Sequence, residues 1–344
     1  MTTTSFKCLN CGAGIHFNPD YGKFKCEYCL SEFTEEQLNK GYIDEVGDIP
    51  AHEKEHLVNY HCNSCGADLV TDDTTSATFC YYCHNPVILS GKLEGEFKPR
   101  KIIPFKVSRD RAQELFMQWA GRKKYVPKDF TSQSQLEKIT GVYLPHWRVE
   151  ANARLDFVGE GRETRVWRNG NTEYTETKKY EIVRKGNLEI NNAGALGFDK
   201  IDARLLNGIG PYDEDGAIPF SMGYLSGFYA EQYNVPREDV EPMVKQDLQK
   251  YFGYMLSEIT AGYQQVIPQK KEMELNLKNW HFSLLPAWIL TYGYKGKAYV
   301  FAVNGQSGKS FGDLPLSEGK VFSTAGLIAA IVFSALAIGG MFLW

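Results

Sequence analysis

An α+β fold is predicted, with tandem N-terminal zinc ribbons, a β-rich antiparallel α+β body and one C-terminal transmembrane helix. Three observations predict it. A cysteine pattern is written twice near the start, stretches rich in Val, Tyr and Thr alternate with turn residues through the middle, and residues 323–344 carry no charge. At 344 residues, 43% of them hydrophobic, the chain is long enough for several domains and a sizeable core. The expected boundaries are a first ribbon over 1–33, an acidic linker over 34–59, a second ribbon over 60–92, the body over 93–320 and the membrane helix over 323–344.

The ribbons rest on spacing. Cys8-x2-Cys11-x14-Cys26-x2-Cys29 recurs as Cys62-x2-Cys65-x14-Cys80-x2-Cys83, each cysteine displaced by 54 positions, and all 8 cysteines are used. Two C-x2-C turns facing each other supply four soft thiolates, the donor set of a tetrahedral Zn2+ site, so two structural zinc ions are expected. Gly12 and Gly66 follow the second cysteine of a pair, where the turn favours positive φ. Disulfides compete for these cysteines, but residues 1–7 form no apolar signal segment, which points to a reducing compartment. Rubredoxin-like iron is the alternative metal. Thioredoxin-like exchange needs one such pair, not two. A four-thiolate site is coordinatively closed, so it stabilises a fold and performs no Lewis-acid chemistry.

Between the ribbons, Thr34 and Gln37 have capping-box spacing for a short helix. Residues 43–61 are acidic and broken by Gly47 and Pro50, and are expected to be extended. His52, His56, His61 and His84 read as surface residues, because four cysteines already complete each shell. Residues 101–107 read as an edge strand interrupted by Pro104. Ser108 caps a helix with Ala112, Leu115, Phe116 and Trp119 on one face, and Arg122-Lys123-Lys124 suit its negative end.

Residues 141–190 read as antiparallel strands turning at Asn169-Gly170. Helices are expected over 222–233 and 237–263, with Pro236 suited to a first turn. Strands follow over 272–282, 284–294 and 297–303. Leu144-Pro145-His146-Trp147 and Leu285-Pro286-Ala287-Trp288 share the form Leu-Pro-x-Trp, a hint of two similar β units.

Charge is unevenly spread. Residues 1–97 hold 6 Lys+Arg against 15 Asp+Glu, whereas 98–140 hold 11 against 4. Duplex binding needs Lys and Arg to replace counterions, so acidic ribbons weigh against nucleic acid. Phe24, Tyr28, Tyr81 and Tyr82 offer stacking faces for bases, or serve as the small domains' core. The basic segment suits a solvated face, a dock for the acidic ribbons or contact with anionic headgroups. Gly308-Lys309-Ser310 lacks the phosphate-loop glycine, because position 303 is Val303. His146 and His281 stand on expected strands without nucleophile or metal partners, so no catalytic residue is assigned.

At the C-terminus, the 20 residues from 325 to 344 are apolar or small, about 30 Å as a helix. Lys309 and Lys320 precede them and no residue follows, so a tail anchor with the N-terminal body cytoplasmic is expected. Ala335-x3-Gly339 would let such helices pack closely.

Several phrases carry a resemblance: Phe97-Lys98-Pro99-Arg100-Lys101-Ile102-Ile103-Pro104-Phe105, Leu144-Pro145-His146-Trp147, Pro219-Phe220-Ser221-Met222-Gly223-Tyr224-Leu225-Ser226-Gly227-Phe228, and Tyr294-Lys295-Gly296-Lys297 through Asn304-Gly305-Gln306. They resemble the bacterial family of membrane-anchored, transcription-factor-IIB-type zinc-ribbon proteins, YdjG-like in kind, over nearly the whole chain. The resemblance implies the eight cysteines as ligands and no defined catalytic residue. It also implies a neighbourhood of envelope stress proteins, PspA-like coat proteins among them. The expectation is therefore a non-enzymatic adaptor or scaffold, single-pass in the cell membrane, that recruits protein partners to the cytoplasmic face and takes no small-molecule substrate. The alternative is a membrane-tethered nucleic-acid-binding or regulatory zinc-ribbon protein.

Overall fold

The computed structural model of the protein describes residues 6–41, 57–64, 67–80, 83–93 and 95–341. Strands β1 (Ile15–Asn18), β2 (Lys23–Cys26) and β3 (Glu32–Phe33) form a small antiparallel sheet. Helix α1 (Glu35–Gly41) follows, and the Thr34 N–H donates to Gln37 Oε1 at 2.8 Å, as the capping-box spacing requires. β4 (Leu57–His61) pairs with β5 (Asp68–Asp72).

The remaining strands join one ten-stranded sheet. They are β6 (Thr75–Phe79), β7 (Pro86–Ile88), β8 (Lys101–Ile102), β9 (Thr140–Asn169), β10 (Thr172–Leu196), β11 (Ile218–Pro219), β12 (Tyr229–Glu231), β13 (Gln265–Tyr294), β14 (Lys297–Asn304) and β15 (Ser310–Gly312). Their order is β11-β8-β13-β9-β12-β6-β7, with β10 beside β9, β14 beside β13 and β15 beside β14. The helices are α2 (Arg109–Gly121), α3 (Gln133–Leu136), α4 (Ala203–Ile209), α5 (Arg237–Ile259) and α6 (Glu318–Met341).

Several expectations are met locally. β9 and β10 turn at Asn169-Gly170, where Gly170 has φ 60°. Ser108 caps α2 and accepts from the Arg111 N–H. α5 begins after Pro236, and Val240, Val244, Leu248, Phe252 and Leu256 are its buried side.

Others are corrected. The body is β-rich and its sheet is mixed, not antiparallel: β12 runs parallel to β9, with Tyr229 opposite Val142 and Ala230 opposite Tyr143. The chain crosses back through α4 before entering β12, which is the kind of connection parallel pairing needs. The helix expected over 222–233 is a single 3-10 turn, Met222–Leu225, followed by β12. Gly227, at φ 98°, takes the chain out of helical conformation there. Strands expected over 272–282 and 284–294 are one strand, β13.

The membrane expectation is also corrected. Among the described residues no helix is long and apolar enough to cross a membrane. That finding overturns the transmembrane helix over 323–344, the tail anchor and the single-pass location. A helix does form, and its first turns hold Glu318, Lys320, Ser323 and Thr324. Residues 342–344 and the side chains of Ala335 and Gly339 lie outside the described residues. The helix start is tied down, with Lys320 Nζ donating to the Val126 carbonyl and Glu318 paired with Lys295, at 2.7 and 2.8 Å.

Two units partition the chain: Met1–Leu144, Lys200–Gln232 and Leu284–Trp344 form the first, and Pro145–Asp199 with Tyr233–Ser283 the second. In the first, Ala112, Phe116 and Ala120 of α2 pack into a core with Leu290, Tyr292, Phe301 and Val303, and Phe24 of β2 belongs to the same core. In the second, α5 covers one face of β9 through Val149, Ala151 and Ala153. β9 is buried on both faces from Gly141 to Val149 and then alternates, the pattern of a strand that gains one open face.

The Leu-Pro-x-Trp echo marks an arrangement that each unit contains. In the first unit, Trp288 Nε1 donates to the Val107 carbonyl at 2.9 Å. The Gly305 N–H donates to Pro286, and the Gly305 carbonyl accepts from Lys106 and Val107. Phe105 packs on Trp288 with ring centroids 5.0 Å apart. In the second unit, Trp147 Nε1 donates to the Val235 carbonyl at 2.9 Å. The Gly197 N–H donates to Pro145, and its carbonyl accepts from Asn234 and Val235. Tyr233 packs on Trp147 at 4.8 Å. Trp288 faces Val303 and Trp147 faces Ala195, each two residues before the glycine. Each lock thus fastens a helix start to a hairpin, and the partners are exchanged in sequence. The segment leading into α2 precedes the first Leu-Pro-x-Trp yet closes on the second.

Candidate metal centres

The described cysteines sit in tight knuckles. The N–H of the first cysteine donates to the carbonyl five residues on: Cys8 to Ala13, Cys26 to Ser31, Cys62 to Ala67 and Cys80 to Asn85, at 2.7 to 2.9 Å. The residue after the second cysteine donates back to the first, seen for Gly12, Leu30 and His84. That turn needs positive φ, which is 74° at Gly12, 63° at Leu30 and 58° at His84. Leu30 and His84 adopt it without being glycine, held by the knuckle's own hydrogen bonds. Cys65 and Gly66 lie outside the described residues.

The knuckles bring thiols together. The Sγ atoms of Cys8 and Cys29 are 3.4 Å apart, those of Cys11 and Cys26 3.6 Å, and those of Cys62 and Cys83 3.8 Å. All four sulfurs of the Cys8, Cys11, Cys26 and Cys29 group lie within 4.8 Å of one another, as do those of Cys62, Cys80 and Cys83. Metal–sulfur bonds of about 2.3 Å give a tetrahedron with edges of about 3.8 Å, so both groups fit a metal ion. Cys8, Cys26, Cys62 and Cys80 are buried while Cys11 and Cys29 are exposed, which places the first centre at the surface.

The metal-free thiols of the first group differ. Cys29 is pulled down to about 6, first by the Ser31 hydroxyl and then by the Ser31 backbone. At Cys11 the Ala13 backbone pulls downward, but the neighbouring thiols and burial together push it up to about 12. Four thiols this close resist losing all their protons without a cation among them.

Both ribbons are seated on the first unit's sheet. The Phe17 N–H donates to the Ser226 carbonyl at 3.0 Å, and Ser226 Oγ donates to the Ile15 carbonyl at 2.5 Å. Tyr224 packs on Phe17 and Phe24, with centroids 4.9 and 5.6 Å apart. Of the aromatics offered as base-stacking faces, Phe24 is therefore core. Tyr28 is exposed, and Tyr81 and Tyr82 lie outside the described residues. In the second ribbon, β6 lies between β7 and β12 and so belongs to the large sheet.

A charged cluster fastens the turn before β6. Lys200 Nζ lies 2.5 Å from Asp72 Oδ1 and 3.2 Å from Thr74 Oγ1. Lys92, buried, donates to the carbonyls of Asp72 and Asp73 at 3.2 and 2.6 Å and lies over the Tyr60 ring. Burial brings Lys92 down to about 8 and pushes Tyr60 up to about 12. Asp72 is held well below the usual carboxylate range by hydrogen bonds with Asp73 and Lys200. No local pattern announces Lys92 or Lys200, because their partners are remote in sequence. The Ser226 seat did have a signal, since it falls within the Pro219–Phe228 phrase that carried the resemblance.

The other candidate residues do not converge on these centres. His61 and His84 are exposed, and His52 and His56 lie outside the described residues. His146 is buried in β9, and His281 Nδ1 is 3.1 Å from the Asn279 carbonyl. The loop around Gly308-Lys309-Ser310 is the turn between β14 and β15, with the Asn304 N–H donating to the Lys309 carbonyl and no helix after the lysine.

No protein-family model matches the chain, and no solved structure matches it. Among curated proteins, the uncharacterized protein YdjG of Bacillus subtilis (strain 168) is 31% identical over 333 residues, a stretch covering 96% of each chain. The chain belongs to the YdjG family.

Proposed function

We propose that the protein is a non-enzymatic adaptor whose two zinc-stapled ribbons present a surface to protein partners. The observation that carries this reading is the first centre. Four thiolates that close on one ion leave no position for substrate or water, and a soft all-sulfur set favours zinc. The ribbon that holds them is fixed by Ser226 and Tyr224, yet Leu9, Tyr28 and Leu30 on its knuckles are exposed, Tyr28 to 84%. Aromatic and leucine side chains held rigidly at a surface suit a protein interface better than they suit a nucleic-acid backbone, which calls for basic groups. PspA-like coat proteins, which the family resemblance brings into view, are the first partners to test.

Metal analysis of the purified protein should return two zinc ions per chain, and one zinc or iron breaks the tandem-site reading. A photo-reactive residue in place of Tyr28 should form adducts with protein in cells. Adducts only with nucleic acid, or none, would remove the adaptor reading.

A further inference from the structure

The two hairpins that carry the locks end differently at their outer edges. In the first unit the edge of β14 is covered by β15, with Val303 opposite Ser310, Ala302 opposite Phe311 and Phe301 opposite Gly312. In the second unit the corresponding strand, β10, pairs with β9 and with no other strand among the described residues. Residues 172–181 of β10 are all exposed, and no proline interrupts the strand. Such an edge presents a row of backbone donors and acceptors that another strand can pair with.

The side chains indicate which strand. Laid antiparallel against its own copy with Tyr180 at the centre, β10 sets Glu176 opposite Arg184 and Lys179 opposite Glu181, each pair occurring twice by symmetry. This register creates no like-charged pair. Moving it one residue pair either way loses the match: with Glu181 at the centre, Lys178 meets Arg184, and with Lys179 at the centre only Glu173 with Lys185 is complementary. Glu176 and Glu181 make no ion pair among the described residues, and Arg184 donates only to the carbonyls of Val183 and Ile259. The bulge between Ile190 and Ala193 ends the regular edge beyond this stretch.

We propose that β10 is a self-association edge, pairing antiparallel with β10 of a second copy of this chain about Tyr180, so that one sheet runs through the dimer. Opposite residues across strands share a face, so each reversed charge would act twice.

The test uses the full-length, metal-loaded protein in sedimentation equilibrium at concentrations up to about 100 μM. Wild type should dimerise. Glu176→Arg and Arg184→Glu, each checked for native circular dichroism, should raise the dissociation constant by about tenfold or more. An equimolar mixture of the two variants should restore wild-type affinity, since every reversed residue then meets its opposite. Hydrogen exchange of the wild type should slow at residues 174–186 as concentration rises. A monomer across the range overturns the proposal, as does a dimer that neither substitution weakens.

Discussion

The two locks are built from the same parts, and what surrounds them differs. In the first unit Phe105 also stacks on Phe228, with centroids 4.2 Å apart and planes 8° apart, and its N–H donates to Tyr143 Oη at 3.3 Å. In the second unit Trp147 packs on Tyr233 and Phe282 beneath the single layer of α5. One construction therefore works both in the middle of a core and in a thin helix-on-sheet layer. The hydrogen-bond pattern sets the geometry, and the surroundings set how costly it is to disturb.

The sharpest way to break the equivalence is to fill the two glycines. A Cβ on Gly305 would sit 2.6 Å from two carbons of the Phe105 ring and 2.7 Å from Pro286 Cβ. On Gly197 the nearest atoms are 3.1 Å away, on Trp147. Gly305→Ala should destabilise by about 3 kcal/mol and Gly197→Ala by about 1 kcal/mol or less in urea titrations. Equal losses would mean that packing around the lock does not matter.

Next in size is the indole bond. Trp288→Phe leaves the buried Val107 carbonyl without its indole donor, and Trp147→Phe does the same at the half-buried Val235. Losses of about 2 and about 1 kcal/mol are expected, measured the same way. A larger loss at Trp147 would reverse the ranking of the two units.

The smallest effect concerns a group that only the first unit contains. Lys92 titrates at about 8 in the fold and at 10.5 when unperturbed, because burial penalises its charged form. The unfolded chain therefore binds more protons between these values, and stability should rise with pH across that window. Wild type should gain about 1 kcal/mol relative to Lys92→Met between pH 8 and pH 9, followed by thermal unfolding. A flat difference, or one falling with pH, would show that Lys92 is not buried as described.

How much was legible in the sequence follows from the distance over which each feature is decided. The cysteine knuckles, the Thr34 cap, the Ser108 cap and the Asn169-Gly170 turn are each settled within a few residues, and each stands as expected. Leu-Pro-x-Trp was visible as an echo, but the reason for it was not, because Val107 lies far from Trp288 in the chain. The C-terminal stretch misled because counting uncharged residues ignores where a helix begins: Glu318 and Lys320 lie inside α6, and among the described residues no helix is long and apolar enough to cross a membrane.

By itself, then, the sequence determined the two thiol groups, the places where helices start and chains turn, and the alternation that makes β9 and β13 strands. Backbone dihedrals and short hydrogen-bonded rings settle these without reference to the rest of the molecule. Tertiary structure alone decided that each lock joins a helix start to a hairpin remote from it in sequence, that β12 runs parallel to β9, that Ser226 seats the first ribbon, and that β10 has an open edge among the described residues. Those outcomes depend on which distant surfaces are buried against each other, and burial is a property of the whole chain.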